Sequence, residues 1–88
     1  MIIEIKDGIV FDTEKSFDEQ TFACQNYFYK IMNDEQPNVE YDEFQRPVVE
    51  FWRIHGTSYH LEIQRISVYQ KQEPDWHLQS QTIKIVEL

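Results

Sequence analysis

Cysteine, glycine, proline and basic residues are all scarce in this sequence, and each scarcity excludes something. The single Cys24 rules out an intrachain disulfide and a thiolate zinc cage. The two glycines, Gly8 and Gly56, lie too far apart for a phosphate-cradling loop of the Walker or dinucleotide type. Eight bases against sixteen acids leave a net charge of −8 with no basic patch, which argues against direct binding to nucleic acid or to an anionic membrane. No apolar run approaches the length of a membrane span and the first residues form no secretory core, so the expectation is a soluble cytoplasmic protein.

What is abundant is aromatic side chain, 15% of 88 residues, enough bulk to fill the core of one domain over 1–88 but not of two. The charge is divided unevenly. Residues 1–50 carry twelve acids and four bases, whereas the four acids and four bases of residues 51–88 cancel. The segment 33–45 alone holds five acids and no base.

Local chemistry suggests the elements. Ile2–Lys6 and Ile9–Phe11 flank Asp7-Gly8, a pair suited to the positive φ angles of a type I′ hairpin turn. Ser16 and Glu19 have capping-box spacing, and at about 100° per residue Phe17, Thr21, Cys24, Phe28, Ile31 and Met32 share one stripe. They predict a helix from Ser16 to about Asn33, stopped by Pro37, with Cys24 in the core. Residues 33–46 show no clear period and are expected to be a long acidic connection. Three antiparallel strands should follow. A type II′ turn at Gly56-Thr57 would set Ile54 opposite Tyr59, Trp52 opposite Leu61 and His60 opposite Arg53. A second turn around Gln72–Asp75 would set Leu61 opposite Ile85, Ile63 opposite Ile83 and Val68 opposite Leu78. In that register the apolar parity changes along both strands of the second hairpin, and Val49, Phe51, Ile66, Val68, Trp76 and Leu78 fall on a second side of the sheet. Either the N-terminal hairpin and acidic segment cover that side or another chain does; the intramolecular cover is the expectation, because a small domain must use most of its apolar area. The fold class is therefore α+β, one helix packed on an antiparallel sheet of about four to five strands, in the order hairpin, helix, three-stranded meander.

No pattern points to catalysis, a cofactor or a metal. His55, His60 and His77 with Glu62 are too dispersed for a ligand set, Cys24 lies mid-helix on the apolar stripe, and no serine occupies a nucleophile elbow. The acidic stretch is the sharpest candidate for function. Asp34, Glu35, Glu40, Asp42 and Glu43 alternate with Tyr41 and Phe44, so charge would steer an encounter and aromatics would anchor it. Phe22 and Tyr29 fall off the core stripe and form a second aromatic strip, either half-covered or an added anchor. In size and charge, though in no motif, the chain is similar to the small acidic inhibitors of phages and mobile elements, some of them nucleic-acid mimics, and to bacterial immunity proteins. The expected function is a non-enzymatic inhibitor that occupies a basic surface of a partner protein, of the kind that binds nucleic acid. The alternative is a homodimeric structural or accessory subunit of a larger complex.

Overall fold

A computed structural model describes residues 1–55 and 59–88. Strands β1 (Ile2–Lys6) and β2 (Ile9–Asp12) form an antiparallel hairpin; a 3₁₀ turn (Phe17–Glu19) leads to helix α1 (Phe22–Asp34). Strands β3 (Asn38–Tyr41), β4 (Pro47–Ile54), β5 (Leu61–Gln72) and β6 (Asp75–Glu87) then build a second sheet in sequential order, every neighbour antiparallel. The class is α+β with one helix, as expected, but the strands number six in sheets of two and four because 38–41 is a strand. Among the described residues no helix is long and apolar enough to cross a membrane.

Several local expectations are corrected. Of the two turn residues in the first hairpin only Gly8 has positive φ, at 76°, so the turn is not type I′; an irregularity between Glu4 and Lys6 takes up the difference in register. The helix does not start at Ser16. The Glu19 carboxylate does return to the Ser16 amide at 3.0 Å, but that box closes only the 3₁₀ turn. Extended φ and ψ at Gln20 and Thr21 interrupt the chain, and α1 begins afresh with the Thr21 hydroxyl accepting from the Cys24 amide. The acidic connection is not irregular throughout, since Asn38–Tyr41 pairs with β4.

The Gly56-Thr57 turn lies outside the described residues. The strands beside it pair as Ile54 with Leu61, Trp52 with Ile63 and Arg53 with Glu62, not as Ile54 with Tyr59, Trp52 with Leu61 and Arg53 with His60. Between β5 and β6 the pairs are Leu61 with Glu87 and Ile63 with Ile85. Both shifts are two residues, one full pleat period, so these side chains keep their assigned faces. Further out the parity argument fails. Between the pairs Val68–Ser80 and Tyr69–Leu78, β6 spends one extra residue, Gln79, in a bulge. Trp76 and Leu78 are thereby turned to the helix side, opposite Phe51 instead of beside it. Val49, Phe51, Ile66 and Val68 do share the second side.

One core joins the helix to both sheets. Phe28, with no exposed surface, meets Phe11 edge-on at 5.9 Å and Phe17 at 6.1 Å, and Ile3, Ile5, Cys24, Ile31, Met32, Trp52, Ile54, Leu61 and Ile63 complete the cluster. Two polar ties fix the layers. The Trp52 indole donates to the Glu35 carbonyl at 3.0 Å, pinning the helix C-terminus to β4. The buried Gln20 amide accepts from the Asp12 N–H and donates to the Asp12 and Lys15 carbonyls, joining β2 to the helix entry. Since α1, the 3₁₀ turn and the β1–β2 hairpin all lie on one side, neither that hairpin nor the acidic segment covers the second side. The molecule is elongated, 49 × 22 × 21 Å.

Gln20→Ala should cost about 2 kcal/mol, more than an average polar truncation, because it removes three hydrogen bonds at the hairpin–helix junction and leaves the Asp12 amide and the Lys15 carbonyl without those partners, while the Asp12 carbonyl keeps the Lys15 amide at 3.2 Å; equilibrium urea unfolding measures it. Burial pushes the Cys24 thiol up to about 11. Native Cys24 should therefore react with a thiol reagent at neutral pH far more slowly than the unfolded chain does, and Cys24→Ser should cost about 1 kcal/mol or more.

Candidate functional site

The acidic stretch is organised by Asp42, at the β3–β4 turn. One carboxylate oxygen accepts from the Phe44 amide at 2.8 Å and the Arg46 amide at 3.0 Å; the other accepts from the Arg46 guanidinium, at 2.8 Å from Nε and 2.7 Å from Nη2. The Asp42 amide donates to the Arg46 carbonyl at 2.9 Å, and the Gln45 amide to the Asp42 carbonyl at 3.0 Å. The loop closes through Gln45 at φ 63°, a left-handed position that favours glycine. Partial burial alone would raise the Asp42 pKa. The hydrogen bonds from Arg46 and Phe44 outweigh it and hold the carboxyl below its ordinary value.

Arg46 carries this turn onto the far end of the β5–β6 hairpin. Its guanidinium carbon lies 3.8 Å over the Trp76 ring, 5.0 Å from Phe44 and 5.1 Å from Tyr69. Its Nη1 is buried with no hydrogen-bond partner, so aromatic faces stand where water would be. Phe44 packs on Trp76 at 5.8 Å, and the Tyr69 hydroxyl donates to the Pro47 carbonyl at 2.7 Å. Lys71 approaches the Trp76 ring at 5.9 Å and pairs with Glu73 at 3.4 Å.

The predicted site residues therefore do not form one patch. Asp42 is committed to Arg46 and the turn. Phe44 lies against Trp76 yet remains 57% exposed, and Tyr41 is 58% exposed on the strand edge. Asp34, the last residue of α1, and Glu35, its C-cap, are exposed at the helix C-terminus; β3 runs from there past Glu40 to Glu43. These four acids mark out the β3 edge of the molecule, about 25 Å long at strand spacing. Phe22 is 82% exposed but sits at the other end of α1, about 18 Å from Asp34 along the helix axis. Tyr29 is half-covered, meeting Phe17 edge-on at 5.3 Å. The aromatic strip on the helix thus stands apart from the acidic edge.

Arg46, Tyr69 and Trp76 went unmarked as site residues in the sequence. The available signal was that Arg46 ends an otherwise base-free acidic run. Among the described residues no group of His, Cys, Asp or Glu side chains has the arrangement of a metal site. Comparison with protein-family models, curated proteins and solved structures finds no match.

Gln45→Gly should stabilise the protein by about 0.5–1 kcal/mol in thermal unfolding, relief of the left-handed strain exceeding the added chain entropy. Asp42→Asn should destabilise it at neutral pH. Because the folded-state pKa of Asp42 is depressed, its contribution is present above the ordinary carboxylate range near pH 4 and is lost as pH falls through the folded value. The gap between wild type and variant should accordingly close in acid, which unfolding curves at stepped pH will show.

Proposed function

We propose that the protein is a non-enzymatic binding module whose acidic edge occupies a basic surface of a partner protein, acting as a small inhibitor of a surface that otherwise holds a polyanion such as nucleic acid. The observation that carries this reading is the placement of Asp34 and Glu35. Both sit at the negative end of the α1 dipole, with no base in the last turn, where a carboxylate is unfavourable by roughly 0.3–1 kcal/mol. Residues kept against local stability are expected where a function uses them.

The surrounding charges support it. Arg46, Arg53 and Arg65 are engaged by Asp42, Glu62 and Glu50, at 2.7, 4.0 and 2.9 Å, while Asp34, Glu35, Glu40 and Glu43 have no ion pair among the described residues. Their field is left for a partner. Spaced along one edge, the carboxylates would stand in for phosphates, steer the encounter and exclude the natural ligand. Tyr41 and Phe44 are the exposed aromatics beside them, suited to the desolvated contacts that slow dissociation.

Neutralising Asp34, Glu35, Glu40 and Glu43 to Asn or Gln separates stability from binding. Thermal stability should hold or rise, with the helix-end pair contributing about 0.5 kcal/mol of gain. Affinity for partners captured from the native host at low salt should fall about tenfold or more, and its salt dependence should flatten. Equal capture by wild type and variant at every salt concentration would assign the acids to solubility.

A further inference from the structure

Among the described residues no element packs on the face of the four-stranded sheet turned away from α1, and its chemistry differs from that of the acidic edge. By register, Asn38, Phe51, Gln64 and Lys84 lie in one row across it, and Glu40, Val49, Ile66 and Thr82 in the next. Val68 follows on one side of these rows; Arg53, Glu62 and Val86 follow on the other. Val49, Phe51 and Ile66 are half-buried by their in-sheet neighbours alone, and Val68 is 47% exposed. The charged residues are Glu40, Arg53, Glu62 and Lys84, which cancel, and Arg53 already pairs with Glu62. In a chain of net charge −8, a neutral face with an apolar centre does not suit the basic partner proposed above.

The remaining two charges specify an occupant. Glu40 stands on one edge strand and Lys84 on the other, in adjacent rows. Face-to-face packing about a two-fold axis parallel to the strands lays β3 of each subunit over β6 of the other. Glu40 then meets Lys84 of the partner subunit twice, flanking the apolar centre. Four strands at about 4.8 Å and some 25 Å of strand length give a face of about 500 Å² per subunit, so about 1,000 Å² in all, the lower limit for a specific interface. The same rotation carries the two acidic edges to opposite flanks, so the −8 charges do not meet.

We infer that this face is a homodimer interface whose occupant is a second copy of the chain, held by Val49, Phe51, Ile66 and Val68 and set in register by Glu40 and Lys84. It is a reversible dimer, as its area requires.

Sedimentation over micromolar to submillimolar concentration tests this. The mass should rise from 10.7 kDa towards twice that value. Val68→Glu should hold the protein monomeric, whereas Leu78→Glu, on the opposite side of the sheet, should leave dimerisation intact. Glu40→Lys and Lys84→Glu should each weaken association by about tenfold at low salt, and the double exchange should restore it. A monomer at every concentration overturns the inference, as does a dimer that survives Val68→Glu, one that Leu78→Glu abolishes, or a double exchange that restores nothing. The acidic-edge reading is tested separately: Glu40 is the one residue the two readings share, so neutralising Asp34, Glu35 and Glu43 alone, read by partner capture, isolates the edge from the dimer face.

Discussion

A helix gains about 1.5 Å per residue and a strand about 3.3 Å, and that difference shapes this molecule. The 13 residues of α1 cover roughly 20 Å, whereas the 13 residues of β6 extend over roughly 40 Å. One helix, even helped by a two-stranded hairpin, can therefore roof only the proximal half of one side of the long β5–β6 hairpin. Trp52, Ile54, Leu61 and Ile63 lie under the roof and form the core; Tyr69, Trp76 and Leu78 lie past its end, and Val49, Phe51, Ile66 and Val68 lie beneath the sheet. The exposed apolar surface is the geometric remainder of a small chain with one helix.

The distal arm must hold its shape without a second layer, and Arg46 supplies the means. A guanidinium lying flat on an indole, with phenyl and phenol rings nearby and a carboxylate along its edge, joins two turns that are distant in sequence. Its geometry depends on the bulge at Gln79. Without the extra residue Trp76 would face the opposite side of the sheet, out of reach of the cation. Asp42 is then as much a part of the arm's construction as of the acidic stretch, so charge density along the sequence overstates the charge available to a partner.

Features legible in the sequence were those decided within a few residues. The break at Gly8, the stripe through Cys24, Phe28, Ile31 and Met32, the burial of Cys24 and the faces of Trp52, Leu61 and Ile63 follow from backbone freedom and side-chain period. What failed depended on choices made elsewhere in the fold. The Ser16–Glu19 box was real, but Gln20 was drawn off the helical path to bond Asp12 and Lys15, so the helix had to begin again at Thr21. Asn38–Tyr41, with one apolar residue in four besides its tyrosine, carried too little pattern to announce a strand; the open edge of β4 supplied the hydrogen bonds. A bulge leaves no compositional mark when, as at Gln79, the inserted residue is an ordinary polar one. The acidic stretch stood out as a candidate site, yet its division into committed and uncommitted carboxylates depended on where Arg46 pointed.

Charge and apolar surface end up on different parts of the molecule, and this separation would let the two proposed modes of association coexist. The acidic edge gains long-range attraction for a basic surface only while its carboxylates stay solvated and unpaired, a state that a nearby apolar contact with another acidic chain would oppose. The neutral outer face has the opposite requirement, since two chains of net charge −8 approach closely only where their charge is elsewhere. By placing Asp34, Glu35 and Glu43 around one edge and turn, and leaving Glu40 as the acid of that segment on the outer face, the fold keeps like charges apart across the sheet's width. A dimer built on that face would present two acidic edges at a fixed spacing, and a partner offering two basic sites at that distance would bind it far more tightly than it binds either edge alone.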